Sequence, residues 1–284
     1  MIIVRIWEGL GNQLFQYAYA RALQLRTGQK VYLDTERIYK ESLEKKGIER
    51  ECGLDNFKIE LSEASEKKKL FFFLKQDNLI KKILFMLSEH NLGVPGFYLE
   101  KELQFKNELK TIRGVKYLMG WFQNEKYFAE YREVLLKEIT PKKKIKISSV
   151  LRKILNSYNT VSVHVRRGDY KKINNVLPVS YYETALKQIE GKICSPFYIV
   201  FSDDIEWVKN NLKFGENVMY MSNGRYKDYE ELLLMSRCKH NIIANSTFSW
   251  WGAWLNRNPD KIVIAPRQWM SNQRIIVPDN WSII

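Results

Sequence analysis

Apolar residues in this chain recur with two periods, and their alternation lays out most of the fold. Ile2-Ile3-Val4-Arg5-Ile6 is a short β-branched run that reads as a strand, and Lys30 to Asp34 reads as a second. Between them Leu14, Tyr17, Ala18, Arg21, Ala22 and Leu25 fall at helical spacing. That spacing predicts a helix from about Gln13 to Arg26, after a glycine loop, Trp7-Glu-Gly-Leu-Gly-Asn12. Strand, helix and strand in this order favour a parallel sheet. A strand over 116–122 and a helix over 125–139 follow, and then Thr140-Pro-Lys-Lys-Lys-Ile-Lys146, which reads as a linker. The second half is more regular. Strands are predicted at 160–165, 197–201, 218–221, 240–244 and 261–265, with helices near 146–158, 180–190, 204–212, 228–238 and 247–256. This is the pattern of a doubly wound α/β domain, and the linker divides the chain into 1–145 and 146–284.

One middle segment is ambiguous. Over Lys67 to His90, Leu70, Phe73, Leu74, Ile80, Leu84 and Leu87 approximate a helical stripe with lysines between them. Six lysines and one aspartate between Lys67 and Lys82 give a local balance of +5. Such a helix either packs on the core with its lysines in solvent or lies on an anionic membrane face. The whole chain of 284 residues is 45% hydrophobic, enough for a proper core. Its net charge of +14 favours an anionic partner: a nucleotide sugar, a nucleic acid or an acidic membrane surface. Cys52, Cys194 and Cys238 are far apart in sequence, which points to buried free thiols rather than a disulfide framework. His90, His164 and His240 have no metal-ligand spacing. The opening run is too short for a secretory signal, and no apolar run reaches a membrane span, so a cytoplasmic setting is expected.

The polar clusters carry the chemistry. Thr160-Val-Ser-Val163 runs straight into His164-Val-Arg-Arg-Gly-Asp-Tyr170, which puts Arg166, Arg167 and Asp169 on one short turn. An arginine fork grips phosphate with two parallel charge-assisted bonds, and Gly168 permits a sharp turn. A surface ion pair of either arginine with Asp169 is the plainer alternative. The strand Phe197–Phe201 ends in Ser202-Asp203-Asp204, where Asp203 or Asp204 either accepts from a guanine or ribose or caps the next helix. Asn241–Ala244 ends in Asn245-Ser246-Thr247-Phe248, entering a helix at Trp250. There Ser246 and Thr247 offer hydroxyls and a helix N-terminus for an anion, or simple N-capping. Ligands of open α/β sheets bind beyond the carboxyl ends of strands, so these clusters share one crevice if their strands are neighbours. In the first loop, Gly11 lets backbone approach a ligand and Asn12 donates near a helix start, although the third glycine of a dinucleotide fingerprint is missing.

Together these segments resemble the bacterial α-1,2-fucosyltransferase family. The resemblance rests on EGLGNQLFQYAYARAL at 8–23, YLMGWFQNEKYF at 117–128, HVRRGDY at 164–170, FSDDIEWV at 201–208 and LLLMSRCKHNIIANSTFSWWGAWLN at 232–256. It implies a GT-B-type fold, two Rossmann-like α/β domains facing a cleft, with an acceptor-side first domain and a donor-binding second. It implies transfer of L-fucose from GDP-β-L-fucose to the 2-hydroxyl of a terminal galactose, with inversion, no required metal and no further cofactor. The absence of a spaced Asp-x-Asp is in keeping with the metal-free part. By the same resemblance Arg166 binds the donor diphosphate with Arg167 in support, and Ser246, Thr247 and Phe248 form a phosphate turn. Asp203 or Asp204 recognises the base, with Asn245 beside the turn, while His164 and Asn12 line the donor site from opposite domains. Cytoplasmic assembly of a surface polysaccharide is the implied setting, and a galactose-terminated glycan the implied acceptor.

The general base is not legible; Glu8 and Asp169 are the nearest acidic candidates by motif, with Asp169 the better suited to holding the arginines. Three rivals stay open: a GDP-sugar transferase of another linkage, a basic nucleic-acid-binding protein, and a plain α/β scaffold. Against nucleic acid, the lysines are spread out and no recognised RNA or DNA motif is present.

Overall fold

The structure, a computed structural model, describes residues 1–36, 52–71, 96–100, 104–269 and 277–284. The chain divides into two compact units, Met1–Lys142 and Lys143–Ile284, three residues before the division predicted from the linker.

In the first unit, β1 (Ile2–Arg5), β2 (Val31–Asp34), β3 (Phe97–Leu99) and β4 (Lys116–Met119) form a parallel sheet in the order β2-β1-β4-β3. Ile2, Ile3 and Val4 are all fully buried, because a central parallel strand is covered on both faces. Helix α1 (Leu10–Thr27) closes on Gly28, whose left-handed φ of 68° lets its N–H reach the Gln24 carbonyl at 2.9 Å. The helix begins three residues earlier than its apolar spacing predicts. Gly11 is therefore buried in its first turn instead of lying in an open loop, and Asn12 lies in that turn too.

Two predictions in this unit need correction. The helix expected over 125–139 is two 3-10 turns, Glu125–Tyr127 and Ala129–Tyr131, followed by a short α-helix, α3 (Arg132–Glu138), which comes after α2 (Glu66–Phe71) in the chain. Phe128 explains the break: it is fully buried edge-on to Phe15, and its φ of −141° and ψ of −2° leave the helical region. The strand expected to reach residue 122 stops at Met119. There the Glu100 carboxylate accepts the Trp121 and Phe122 N–H groups at 2.7 and 2.8 Å and turns the chain out of the sheet. Strand β3 is too short to show a period. Of the lysine-rich stretch, Glu66–Phe71 is helical and 72–90 lies outside the described residues. Lys69 is not a solvated lysine: its side chain is buried and its ammonium lies 3.2 Å from Asp34.

The second unit starts with α4 (Ser149–Ser157), whose Ser148 hydroxyl caps the Leu151 N–H, and continues β5 (Asn159–Val165), α5 (Val179–Glu190) and β6 (Pro196–Ser202). Then come α6 (Ile205–Asn211), β7 (Val218–Tyr220), α7 (Asp228–Met235), β8 (His240–Ile242), α8 (Thr247–Trp254), β9 (Val263–Ala265) and β10 (Ser282–Ile283). Among the described residues its sheet is parallel throughout, in the order β10-β9-β8-β5-β6-β7. The strand period of two sorts β6 between two cores. Tyr198 and Val200 pack with Val161, Val163 and Tyr182, whereas Ile199 and Phe201 pack with Leu151, Ile154 and Met235. Helix α8 is apolar all round and buries Trp250, Trp251 and Trp254. It approaches α7 so closely that a Cβ on Gly252 would stand 2.8 Å from that of Met235. Of the three thiols, Cys52 and Cys238 are buried, but Cys194 is exposed. No helix among the described residues is long and apolar enough to cross a membrane.

Candidate functional site

In the second unit β5 has β6 on one side and β8 on the other. The chain therefore reverses its direction of growth at β5, and a crevice opens outside the carboxyl ends of β5 and β8. The three polar clusters follow β5, β6 and β8, so the adjacency on which their convergence depended is met.

Asp203 organises the arginine turn. Its Oδ1 accepts the Arg167 N–H at 2.8 Å, and its Oδ2 accepts the Gly168 N–H at 3.0 Å and lies 3.0 Å from Arg166 Nη1. A Cβ on residue 168 would stand 2.7 Å from that oxygen, so the glycine is there to admit a carboxylate. Asp169 meets the other arm of Arg166, with Nη2 to Oδ1 at 2.8 Å. Arg166 remains a third exposed, while Arg167 is turned inward. The Arg167 guanidinium sits 3.5 Å from the centre of the Trp207 ring and its Nε is 3.2 Å from Asp204. Lys171 also reaches Asp204 and is the main reason that carboxyl is held below its usual range. Thus Arg166 keeps the accessible fork and Arg167 packs the wall behind it.

Next to this turn lies the start of α8. Ser246 is its N-cap, accepting the Phe248 N–H at 3.4 Å, and Thr247 and Phe248 are part-exposed. Tyr170 ties the two segments together by donating to the Asn245 carbonyl at 3.1 Å. The Asn245 side chain points inward: its amide donates to the carbonyls of Asn175 and Trp269, at 2.9 and 3.3 Å, and so ties loops together. His164 is buried, its ring 5.6 Å from that of Phe248. Burial first, and then the charge of Arg166, push its pKa down to about 3, so it is a neutral imidazole near pH 7.

The first unit has a switch point of its own, since β1 lies between β2 and β4. Glu8 follows β1 with a left-handed φ of 63°, a conformation costly for a side-chain-bearing residue unless its surroundings hold it. Here they do: Glu8 Oε2 accepts from Asn12 Nδ2 and, at 3.0 Å, from Trp121 Nε1. Gln123 completes the chain by donating to Asn12 Oδ1 at 2.8 Å. Trp7 packs against Trp121 with ring centres 5.1 Å apart.

Tyr170, Lys171, Trp207 and Trp121 stand in this machinery without having been singled out from sequence. Each lies inside or next to a motif segment: Tyr170 and Trp207 stand three residues after Arg167 and Asp204 and Lys171 two after Asp169, a signal the sequence offered, whereas Trp121 has no Asp or Arg at such a spacing. Glu100 had none, because nothing around it is patterned. Among the described residues no group of three or more His, Cys, Asp or Glu side chains is arranged to hold a metal ion.

Two parallel α/β units, the second with an arginine turn and the start of α8 following neighbouring strands at its switch point, form an architecture suited to a nucleotide-linked substrate. The chain belongs to glycosyl transferase family 11, whose model matches residues 1–282. It therefore takes a nucleotide-sugar donor and a glycan acceptor. It is 34% identical to the O-antigen biosynthesis glycosyltransferase WbnK of Escherichia coli, over 96% of this chain and 97% of that protein. It is 31% identical to an alpha-1,2-colitosyltransferase of Escherichia coli, over 99% and 98% of the two chains. A shorter match, 32% over 34% of this chain and 28% of the relative, is to galactoside 2-alpha-L-fucosyltransferase Sec1 of Mus musculus.

Proposed function

We propose that this protein transfers L-fucose from GDP-β-L-fucose to the 2-hydroxyl of a terminal β-galactose, with inversion and without a metal, during assembly of a surface polysaccharide at the cytoplasmic side of the membrane. The observation that supports this best is the part-exposed Arg166 on a turn that Tyr170 ties to the segment opening α8. As the sugar–phosphate bond breaks, negative charge gathers on the departing diphosphate. Arg166, by sharing or exchanging its bonds to Asp169 and Asp203, and the first amides of α8 are the donors that receive it. Asp203 holds Arg166 in register, and the base of the nucleotide contacts the Asp203–Asp204 side of the turn. The fucosyl group, with oxocarbenium character, is attacked on the face opposite the leaving group. Of the two candidate bases, Asp169 is tied to Arg166, whereas among the described residues both hydrogen bonds to the Glu8 carboxylate fall on Oε2 and none on Oε1. Glu8 is therefore the stronger candidate.

A second reading concerns the donor sugar. The colitosyltransferase relative matches almost end to end, so GDP-colitose, the 3-deoxy counterpart of GDP-fucose, is the rival donor. The test incubates the protein with each donor, EDTA and a panel of β-galactosides, and determines linkage by NMR. An α-1,2-fucosyl product in the presence of EDTA is expected. Preference for GDP-colitose moves the assignment to the second donor, another linkage sinks it, and loss of turnover in EDTA removes the metal-free part.

A further inference from the structure

We infer that Trp121 is the stacking platform for a hexopyranose of the acceptor glycan. The inference rests on the glycosyltransferase reading above and concerns the first unit alone. Trp121 leaves the carboxyl end of β4, next to the carboxyl end of β1, at that sheet's switch point. The residue is part-exposed, and its side chain is fixed from several sides. Trp7 packs against the ring, and Trp7 is itself anchored by donation from Nε1 to the Gly120 carbonyl at 3.3 Å. The Trp121 Nε1–H is held by Glu8 at 3.0 Å, and its backbone N–H by Glu100 at 2.7 Å. A large aromatic held this firmly loses little entropy when a ligand settles on it.

The surroundings select a sugar. One face of a β-galactopyranose carries the C–H bonds of C3, C4 and C5 and is apolar enough to lie on an indole, while its rim carries hydroxyls that need partners. Glu8 Oε1, without a hydrogen-bond partner among the described residues, accepts a hydroxyl proton. Asn12 and Gln123 continue the polar edge, and their mutual bond at 2.8 Å fixes the orientation of both amides. An aromatic face bordered by a carboxylate and amides suits a neutral, hydroxyl-rich ligand. It does not suit a phosphate, which Glu8 would repel.

The test follows methyl β-D-galactopyranoside on the full-length protein by saturation-transfer NMR, with acceptor KM and calorimetric GDP affinity measured alongside. Trp121→Ala is expected to abolish the saturation transfer and raise acceptor KM at least tenfold, with GDP affinity within twofold of wild type. Trp121→Phe, which keeps an aromatic face, should stay within about threefold of the wild-type KM. Trp121→Leu, which restores apolar volume without a flat face, should behave like alanine and replaces it if alanine does not fold. Acceptor KM within twofold of wild type in the alanine or leucine variant overturns the inference, as does equal loss of GDP and galactoside binding. A wild-type protein that shows galactoside transfer but neither binds GDP nor uses GDP-fucose or GDP-colitose refutes the proposed function and leaves the platform standing.

Discussion

Gly168→Ala tests how the arginine turn is built. The added methyl would stand 2.7 Å from Asp203 Oδ2, where ordinary contact begins at about 3.4 Å, so the oxygen must retreat by about 0.7 Å. That oxygen bonds the Gly168 N–H and Arg166 Nη1, both at 3.0 Å, and a retreat of this size breaks or badly bends each contact. A hydrogen bond to a charged group contributes roughly 1.5–3 kcal/mol when buried. The Asp203 side chain is 25% exposed, so water recovers part of that, and about 1 kcal/mol per contact is the reasonable value. The total, about 2 kcal/mol, corresponds to about 30-fold in an equilibrium constant. Urea unfolding should report it as lost stability, and calorimetry as weaker GDP binding, because Arg166 loses an anchor. In an Asp203→Ala background the obstacle is gone. The same methyl should then cost clearly less than in wild type, because only the backbone preference of the turn, at φ −29° and ψ −94°, is left to oppose it. A double-mutant cycle reads this directly. If the effects of Gly168→Ala and Asp203→Ala simply add, the carboxylate does not depend on the missing side chain and the argument is wrong.

Other substitutions probe the rest. Arg166→Ala should cost about 3 kcal/mol or more in kcat/KM and Arg166→Lys should recover little, because a point charge cannot bridge two carboxylates and a phosphate as a fork does; near wild-type turnover would remove Arg166 from the mechanism. Gly252→Ala should destabilise by about 1–3 kcal/mol through the contact between α8 and α7 at Met235, read as a lower urea midpoint with an unchanged slope. Asp169→Asn, at an exposed pair, should leave stability within about 1 kcal/mol and tighten GDP binding severalfold at low salt; weakened binding would mean that Asp169 positions Arg166 and does not compete for it. His164 has a folded pKa of about 3 against an ordinary value near 6.5, so its contribution is complete above about pH 6.5 and is lost as pH falls towards 3. The stability advantage of wild type over His164→Gln should therefore shrink by about 2 kcal/mol from pH 7 to pH 5, and a constant difference would show that the imidazole titrates normally.

Sequence reasoning reached furthest where one residue's own pattern decides its place. The strands of the second half are legible because a buried parallel strand needs a run of β-branched or aromatic residues and nothing else looks like it over five residues. Helix α8 is legible from Asn245-Ser246-Thr247 and the tryptophans after it. What escaped depends on distant partners. Nothing near Phe128 says that burial against Phe15 will break a helix, and nothing near Met119 says that Glu100 will end a strand. The turn glycine was understood only by half: Gly168 is needed at that position, but the reason is a carboxylate 35 residues later. Asn245 shows the same dependence on distant partners, since nothing in the sequence near it says that its amide will hold the carbonyls of Asn175 and Trp269.

The strong positive charge of the chain suggested a positive site, and the arginine turn does not simply obey. Arg166, Arg167 and Lys171 face Asp169, Asp203 and Asp204, so the cluster is electrically balanced before any ligand arrives. On the proposed function, a diphosphate binding there would not fill an empty electropositive hole. It must join or replace carboxylates around Arg166, and the gain is the difference between two sets of charge-assisted bonds. That difference is small for a ground-state diphosphate ester and larger once the sugar departs and another negative charge develops. An arginine held between carboxylates thus favours the leaving group over the intact donor, which is the differential binding that speeds a reaction. It also gives the inward arginine its purpose. With Arg167 stacked on Trp207 and bonded to Asp204, the backbone carrying Arg166 is held in place, so that on the proposed function only the fork's bonds to carboxylates have to change as charge develops.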